Sequence, residues 1–260
     1  MAQKRIIIIG ASSGIGYEVA RLFIGKSHIV GVAARRTQAL EQLKSIAPER
    51  VSIKAIDVTE DNAPTLLEEL IKATGGMDTY IHVSGIGKQN TALIQEQEEI
   101  TFATNVKGFG TLIGFAYRYF REKGHGHIVA ITSIAGTKGL GTAPSYSATK
   151  RFQSTYLQAL SQLSHMEHSH VSITDIQPGF VDTAFLASNQ NYPLLMPVNK
   201  VACQIVKAIE KKKRKAIIDW KFTCITFIWR LIPNCIWERL HIATTHKNTP
   251  THNINPNTPI

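Results

Sequence analysis

Short β-branched and aliphatic runs recur at 5–9, 29–33, 51–56, 79–83, 127–131, 171–176 and 216–219. Each is too short for a helix and reads as a buried strand. Between them, apolar positions fall three or four apart over 14–24, 38–46, 63–73, 96–120, 145–164 and 199–211. That period predicts helices. Strands alternating with helices predict βαβ units in a single α/β domain. Right-handed crossovers then make one doubly wound parallel sheet of about seven strands with helices on both faces. Its ligand crevice belongs at the carboxyl ends of the strands.

The pattern changes after residue 219. In WKFTCITFIWRLIPNCIWERL, 220–240, the polar residues Thr223, Thr226, Arg230, Asn234, Glu238 and His241 recur every three or four positions among apolar neighbours. Arg230, Pro233 and the short length exclude a membrane span. An amphipathic extension over 220–242 is predicted instead. It closes the pocket of its own domain, contacts a sister subunit, or lies on a membrane surface. In the last case the tryptophans sit at the interface and the run KKKRK, 211–215, meets anionic lipid. The Thr-, Asn- and Pro-rich segment 243–260 has little to bury and is expected to be a disordered tail. The expected division is therefore 1–219, 220–242 and 243–260.

Composition adds limits rather than chemistry. Of 260 residues, 43% are hydrophobic and 18% charged, the balance of a soluble globular protein. Three cysteines, Cys203, Cys224 and Cys235, cannot form a disulfide framework and point to a reducing compartment. The N-terminal apolar run is four isoleucines ended by Gly10, too short for a signal peptide, so a cytoplasmic protein is expected. The net charge of +10 is scattered apart from KKKRK. It comes without zinc spacing or aromatic interleaving, so nucleic acid is not the expected partner. The segment SHMEHSH gathers His165, Glu167, His168 and His170 at a predicted helix end. Such ends suit exposed His and Glu, and no metal is expected there.

The chemistry starts at IIIIGASSGIGYEVARLF, a strand, a glycine-rich turn and a helix. Gly10, Gly14 and Gly16 permit a tight turn and close approach of a pyrophosphate to the backbone at a helix N-terminus. Ser12, Ser13 and Ile15 lie within that turn. This is a dinucleotide-binding, Rossmann-type signature in its proper context. The second predicted strand ends AARRTQ. Ala34 stands where an NAD site usually carries Asp or Glu, about 20 residues past the glycines. Arg35 and Arg36 follow, and a guanidinium pairs bidentately with a 2′-phosphate, so NADP(H) is the expected cofactor. Asp57 either accepts from the adenine amino group or caps the next helix.

In PSYSATKRF, Tyr146 and Lys150 fall one helical turn apart. With GASSGIG, the DV of Asp57 and Val58, NVKG from Asn105, ITSIAG around Ser133, YSATK, and QPGFVDT ending at Thr183, the chain resembles the short-chain dehydrogenase/reductase family from about residue 4 to 219. The resemblance implies that Tyr146 donates a proton to a carbonyl oxygen and Ser133 holds that oxygen. Lys150 lowers the phenol's pKa and binds the nicotinamide ribose, and Asn105 holds a water that reprotonates Lys150. An unperturbed phenol titrates at about 10, roughly three units above neutrality. Ser84, Gly85, Pro178, Gly179, Val181 and Thr183 are implied to border the cofactor, and 184–197 to form a lid. Ile9, His82 and Val83 depart from the family pattern without removing any of these groups.

The resulting expectation is an NADPH-dependent oxidoreductase. It reduces a ketone or aldehyde, or runs the reverse reaction, on a hydrophobic small molecule such as a keto-lipid or steroid. By resemblance it is a homodimer or homotetramer. The apolar positions Phe152, Tyr156, Leu160 and Leu163 predict a buried ridge along the helix that pairs subunits. The alternatives are a catalytically idle nucleotide sensor or scaffold, which retention of Tyr146 and Lys150 argues against, and a basic membrane-surface protein.

Overall fold

The computed structural model describes residues 2–183, 186 and 192–242. The expected tail at 243–260 and half of the expected lid, 184, 185 and 187–191, lie outside them. Seven parallel strands form the main sheet: β1 (Arg5–Ile9), β2 (Ile29–Ala34), β3 (Val51–Ala55), β4 (Thr79–His82), β5 (Gly126–Ile131), β6 (Val171–Pro178) and β9 (Lys215–Ile218). Their order is β3-β2-β1-β4-β5-β6-β9, so the chain reverses its winding between β1 and β4. A short parallel pair, β7 (Val181–Asp182) and β8 (Met196–Pro197), stands apart.

Why β1 reads as an unbroken apolar run is visible in its two faces. Ile6 and Ile8 join one buried cluster, with Val19 and Phe23 of α1 (Gly14–Gly25) and Ile205 of α7 (Val198–Glu210). Ile7 and Ile9 join the other, with Leu67 of α3 (Ala63–Ala73) and Leu112 of α5 (Phe109–Lys123). A central strand covered by helices on both sides has no polar face to show. The helix α2 (Gln38–Ile46) covers the outer strands through Leu40 and Leu43.

Three expectations are corrected. The helix expected over 96–120 is α4 (Gln95–Phe102), a π-helical turn Ala103–Gly108, and α5. The turn holds Asn105, whose side chain bonds both backbone groups of Ile86, and packs Gly108 so tightly that a Cβ would lie 2.5 Å from the Val58 carbonyl oxygen. Such bulges recur at functional sites.

The ridge expected on α6 (Pro144–Met166) is buried at Leu160 and half-buried against the core at Tyr156 and Leu163, but not at Phe152. Phe152 is 37% exposed and stacks on Tyr156, while Thr149, Lys150, Gln153, Leu157 and Leu160 face inward. Hydropathy missed the polar inner positions Thr149, Lys150 and Gln153, which bond one another and neighbouring groups.

The C-terminal polar stripe is exposed at Thr223, Arg230, Asn234, Glu238 and His241, and it fails at one position. In α8 (Trp220–Leu231), Thr226 is fully buried with its hydroxyl donating to the Phe222 carbonyl oxygen, 2.8 Å. Trp220, Phe227, Ile228 and Leu231 face outward. The chain breaks at Ile232 and Pro233 before a short turn, α9 (Asn234–Trp237). The extension docks on its own domain. Lys138 Nζ donates to the Ile232 carbonyl oxygen at 2.9 Å and Trp237 Nε1 to that of Gly139 at 2.7 Å. Phe222 presses on Gly179, where a Cβ would sit 2.3 Å from the ring.

Candidate active site

At the end of β1 the chain turns on Gly10, whose φ of +92° and lack of Cβ are both required: a Cβ would sit 2.5 Å from the Ser84 nitrogen. Gly10 and Ala11 donate to the Ala33 carbonyl oxygen at 2.8 and 3.1 Å, tying the turn to β2. Gly16 serves packing rather than lining, since its α-carbon faces the Gly10 carbonyl oxygen. The first turn of α1 carries no acidic side chain, so its positive end is uncompensated. That end, through Ser12, Ser13, Gly14 and Ile15, opens into a cavity of about 930 Å³.

Every candidate residue except Gly16 and Asn105 lines this one cavity. Arg35 and Arg36 follow the buried end of β2, with Asp57 and Val58 beside them. Ser84 and Gly85 follow β4, and Pro178, Gly179, Val181 and Thr183 follow β6. Asp57 Oδ1 accepts from the backbone and hydroxyl of Thr59, so one of its oxygens is spent on the local turn.

Tyr146 stands in the first turn of α6, started by Pro144, and its ring lies against Gly87, where a Cβ would come within 2.1 Å. Ser133 follows β5. Its Oγ accepts from the Ala135 amide at 3.1 Å, and its hydroxyl hydrogen-bonds Tyr146. Lys150 Nζ is buried 5.7 Å from the centre of the Tyr146 ring and donates to the Ile131 carbonyl oxygen and Gln153 Oε1. Asn105 sits behind, donating to Ile86 and Thr149.

Electrostatics differ from the expectation that Lys150 acidifies Tyr146. Burial pushes the Tyr146 phenol above its ordinary value, partly offset by the bond with Ser133. Burial also pulls Lys150 down to about 8, against the pull of Asp175. Enclosure disfavours both charged forms, and the ammonium directs its hydrogen bonds to neutral oxygens. His82, the last residue of β4 and one of the departures from the family pattern, has its Nδ1 2.9 Å from the Tyr80 hydroxyl and its ring edge-on to Phe109. Burial lowers His82 to about 3, so the ring is neutral.

The glycine turn, the Tyr–Lys pair and the preceding serine thus share one crevice where the winding reverses. Residues 4–192 match the model of the short chain dehydrogenases. The chain belongs to that family. Among its relatives, it is 28% identical to an uncharacterized oxidoreductase of Mycobacterium tuberculosis, covering 85% of this chain and 90% of the other. A 3-ketodihydrosphingosine reductase of Bacteroides thetaiotaomicron is 29% identical over 82% of this chain and 78% of its own. The alcohol dehydrogenase of the archaeon Thermococcus sibiricus, solved with 5-hydroxy-NADP, superposes with a TM-score of 0.72 at 20% identity, covering 84% and 96%.

What the family pattern missed is Gln153. Its side chain is fully buried and bridges Lys150 and Asn105. Its place three residues after Lys150 was a signal that a helical wheel offered. Glu167 in SHMEHSH, by contrast, accepts from the Tyr117 hydroxyl and pairs with Arg121. Among the described residues no His, Cys, Asp and Glu group has the geometry of a metal site, and no helix is long and apolar enough to cross a membrane.

Proposed function

We propose that this short chain dehydrogenase is an NADPH-dependent reductase of a ketone carried on an apolar molecule. The observation behind it is that Ser133, Tyr146 and Lys150 border the same cavity as Arg35 and Arg36, with no carboxylate at Ala34. The residues suit the cofactor. The Gly10 turn leaves the backbone bare for a pyrophosphate at the positive end of α1, and the paired guanidiniums suit a 2′-phosphate.

Bound NADPH supplies the hydride. Tyr146 gives its proton to the carbonyl oxygen, and its raised pKa keeps that proton in place at neutral pH until it is used. Ser133 orients the oxygen through its hydroxyl. Lys150, at about 8, is mostly protonated at pH 7 and stabilises the phenolate left behind. Leu140, Phe180, Leu186, Tyr192, Trp229 and Ile242 supply apolar wall to the cavity, which favours a hydrophobic substrate. The Bacteroides relative, named for a keto-lipid, supports the same class.

The outward stripe Trp220, Phe227, Ile228 and Leu231 is the surface for docking on an anionic membrane. Arg230 on the same helix, with Arg214 and Arg151, acts electrostatically on Lys215, and 211–213 lies exposed just before it in sequence. Like charge around the stripe opposes its pairing with a second copy of the chain. The stacked Phe152 and Tyr156 on α6 are the better surface for pairing subunits.

The test is fluorescence titration of NADPH and NADH into wild type and Arg35→Ala/Arg36→Ala. Loss of two charge-assisted contacts is expected to weaken NADPH about 10- to 100-fold and leave NADH unchanged. NADPH oxidation is then followed with 3-ketodihydrosphingosine and a steroid ketone. Equal binding of the two cofactors by wild type overturns the cofactor choice, and binding of neither makes the protein a sensor or scaffold.

A further inference from the structure

Among the described residues, no carboxylate lies within hydrogen-bond reach of Lys150. Its Nζ donates to the Ile131 carbonyl oxygen at 3.3 Å and to Gln153 Oε1 at 3.0 Å. Gln153 Nε2 in turn donates to the Asn105 carbonyl oxygen at 2.9 Å. Gln153 is completely buried on the inner face of α6. Both ends of its amide are therefore used, one on the ammonium and one on the π-helical turn. The Asn105 side chain continues the network to Ile86 and, through Thr149, to the Tyr146 carbonyl oxygen.

We propose that Gln153 is a positioning residue that occupies the place expected for a water between Lys150 and Asn105, fixing the ammonium and keeping it charged. A carboxamide differs from water in one decisive respect. Its Oε1 only accepts and its Nε2 only donates, so a proton arriving from Lys150 cannot be handed on to Asn105. Lys150 and Tyr146 therefore exchange protons on the cavity side, past Ser133, and not through the interior behind Asn105. The bridge also makes the site stiffer, because a covalently held amide replaces a mobile water and ties α6 to the turn before α5.

Other charges near Lys150 do not replace this contact. Asp175 on β6 attracts it at a distance, its oxygens held by Thr132 Oγ1 at 2.5 Å and Gln177 Nε2 at 2.8 Å. His82 on β4 is neutral, and Tyr146 on the same helix keeps its proton. Gln153 is thus the side chain that accepts directly from the ammonium.

The test compares wild type with Gln153→Glu and Gln153→Leu. The pH midpoint of NADPH affinity is read by fluorescence between pH 6 and pH 10, and thermal melting monitors folding. Wild type is expected to lose affinity around pH 8, where Lys150 gives up its proton. The carboxylate should move that midpoint up by about one unit or more, and the leucine should move it down by a similar amount. Gln153→Glu also tests the relay, because a carboxylate carries protons and should raise the solvent deuterium isotope effect on turnover if an inner path opens.

The pH test rests on the reading of the cavity as an NADPH site. The 15Nζ resonance of Lys150, assigned by its loss in Lys150→Met, is therefore titrated without cofactor. If wild type binds no NADPH, the proposed function fails while this titration still tests Gln153. Opposite displacements of the Lys150 midpoint in the two folded variants support the proposal. A midpoint unmoved in both, or moved the same way in both, overturns it and leaves Gln153 a packing residue.

Discussion

The two ends of the sheet treat positive charge in opposite ways. At the amino end, Asp78 just before β4 takes Arg5 Nη2 at 2.9 Å and Lys123 Nζ at 2.7 Å on one oxygen, and the Arg5 Nε and backbone nitrogen on the other. At the carboxyl end, Arg35 and Arg36 line the cavity without a carboxylate at Ala34, and Lys150 donates to the neutral oxygens of Ile131 and Gln153. Charge satisfied within the chain locks β1, β4 and α5 together. Charge left facing a cavity is available to a ligand, and its solvation and pairing then change when that ligand arrives. Stability and function are thus held at opposite ends of the same strands, as the parallel topology favours.

Removing one hydroxyl at the carboxyl end should have the largest effect. Tyr146→Phe is expected to lower turnover about 10²- to 10⁴-fold, the usual range for losing a general acid, while NADPH affinity and the melting temperature stay near wild type. Steady-state kinetics and calorimetry on the same preparation check both halves. A Tyr146→Phe enzyme that retains wild-type turnover would remove the phenol from the chemistry altogether.

The amino end should give the mirror result at smaller scale. Burial alone would raise the Asp78 carboxyl, but hydrogen bonds from Arg5 and Lys123 hold it well below the ordinary 3.8. A carboxylate with a depressed folded value stabilises the fold above its unfolded value and loses that contribution as pH falls through the folded one. Asp78→Asn is expected to cost about 1 kcal/mol at pH 7, allowing for solvent around Arg5, and to leave turnover unchanged. Urea unfolding should show the difference shrinking below about pH 4, where the carboxyl of the unfolded wild-type chain begins to take up protons while the folded one stays ionised.

The outward face of α8 should matter least to the fold and the chemistry. Replacing Phe227 and Leu231 together by serine should weaken sedimentation with phosphatidylglycerol vesicles about tenfold and leave soluble-substrate turnover intact. Vesicle binding equal to wild type would assign that stripe to something other than lipid.

Much of this arrangement is legible in the sequence. The strand and helix order follows from apolar spacing, and the cavity from the glycine turn and the Tyr–Lys interval. What was not legible shares one cause. Gln153, Thr226 and the inner face of α6 are polar groups whose burial is made tolerable by partners far away in sequence, so hydropathy placed them outside. The bent helix at Asn105 escaped for a related reason: its bulge is held by Ile86 and Val58, neither of which periodicity in 96–120 can register.

By itself, then, the sequence determined which elements form and which side chains are brought to one cavity. Local spacing carries those, because a turn's conformation and a helix face depend on neighbours a few residues away. Only the tertiary structure decided the state of those side chains. It pulled Lys150 down to about 8 and pushed Tyr146 up, set Gln153 between Lys150 and Asn105, and turned the apolar stripe of α8 outward. Burial and long-range hydrogen bonding set charge and exposure, and both arise only when distant segments meet.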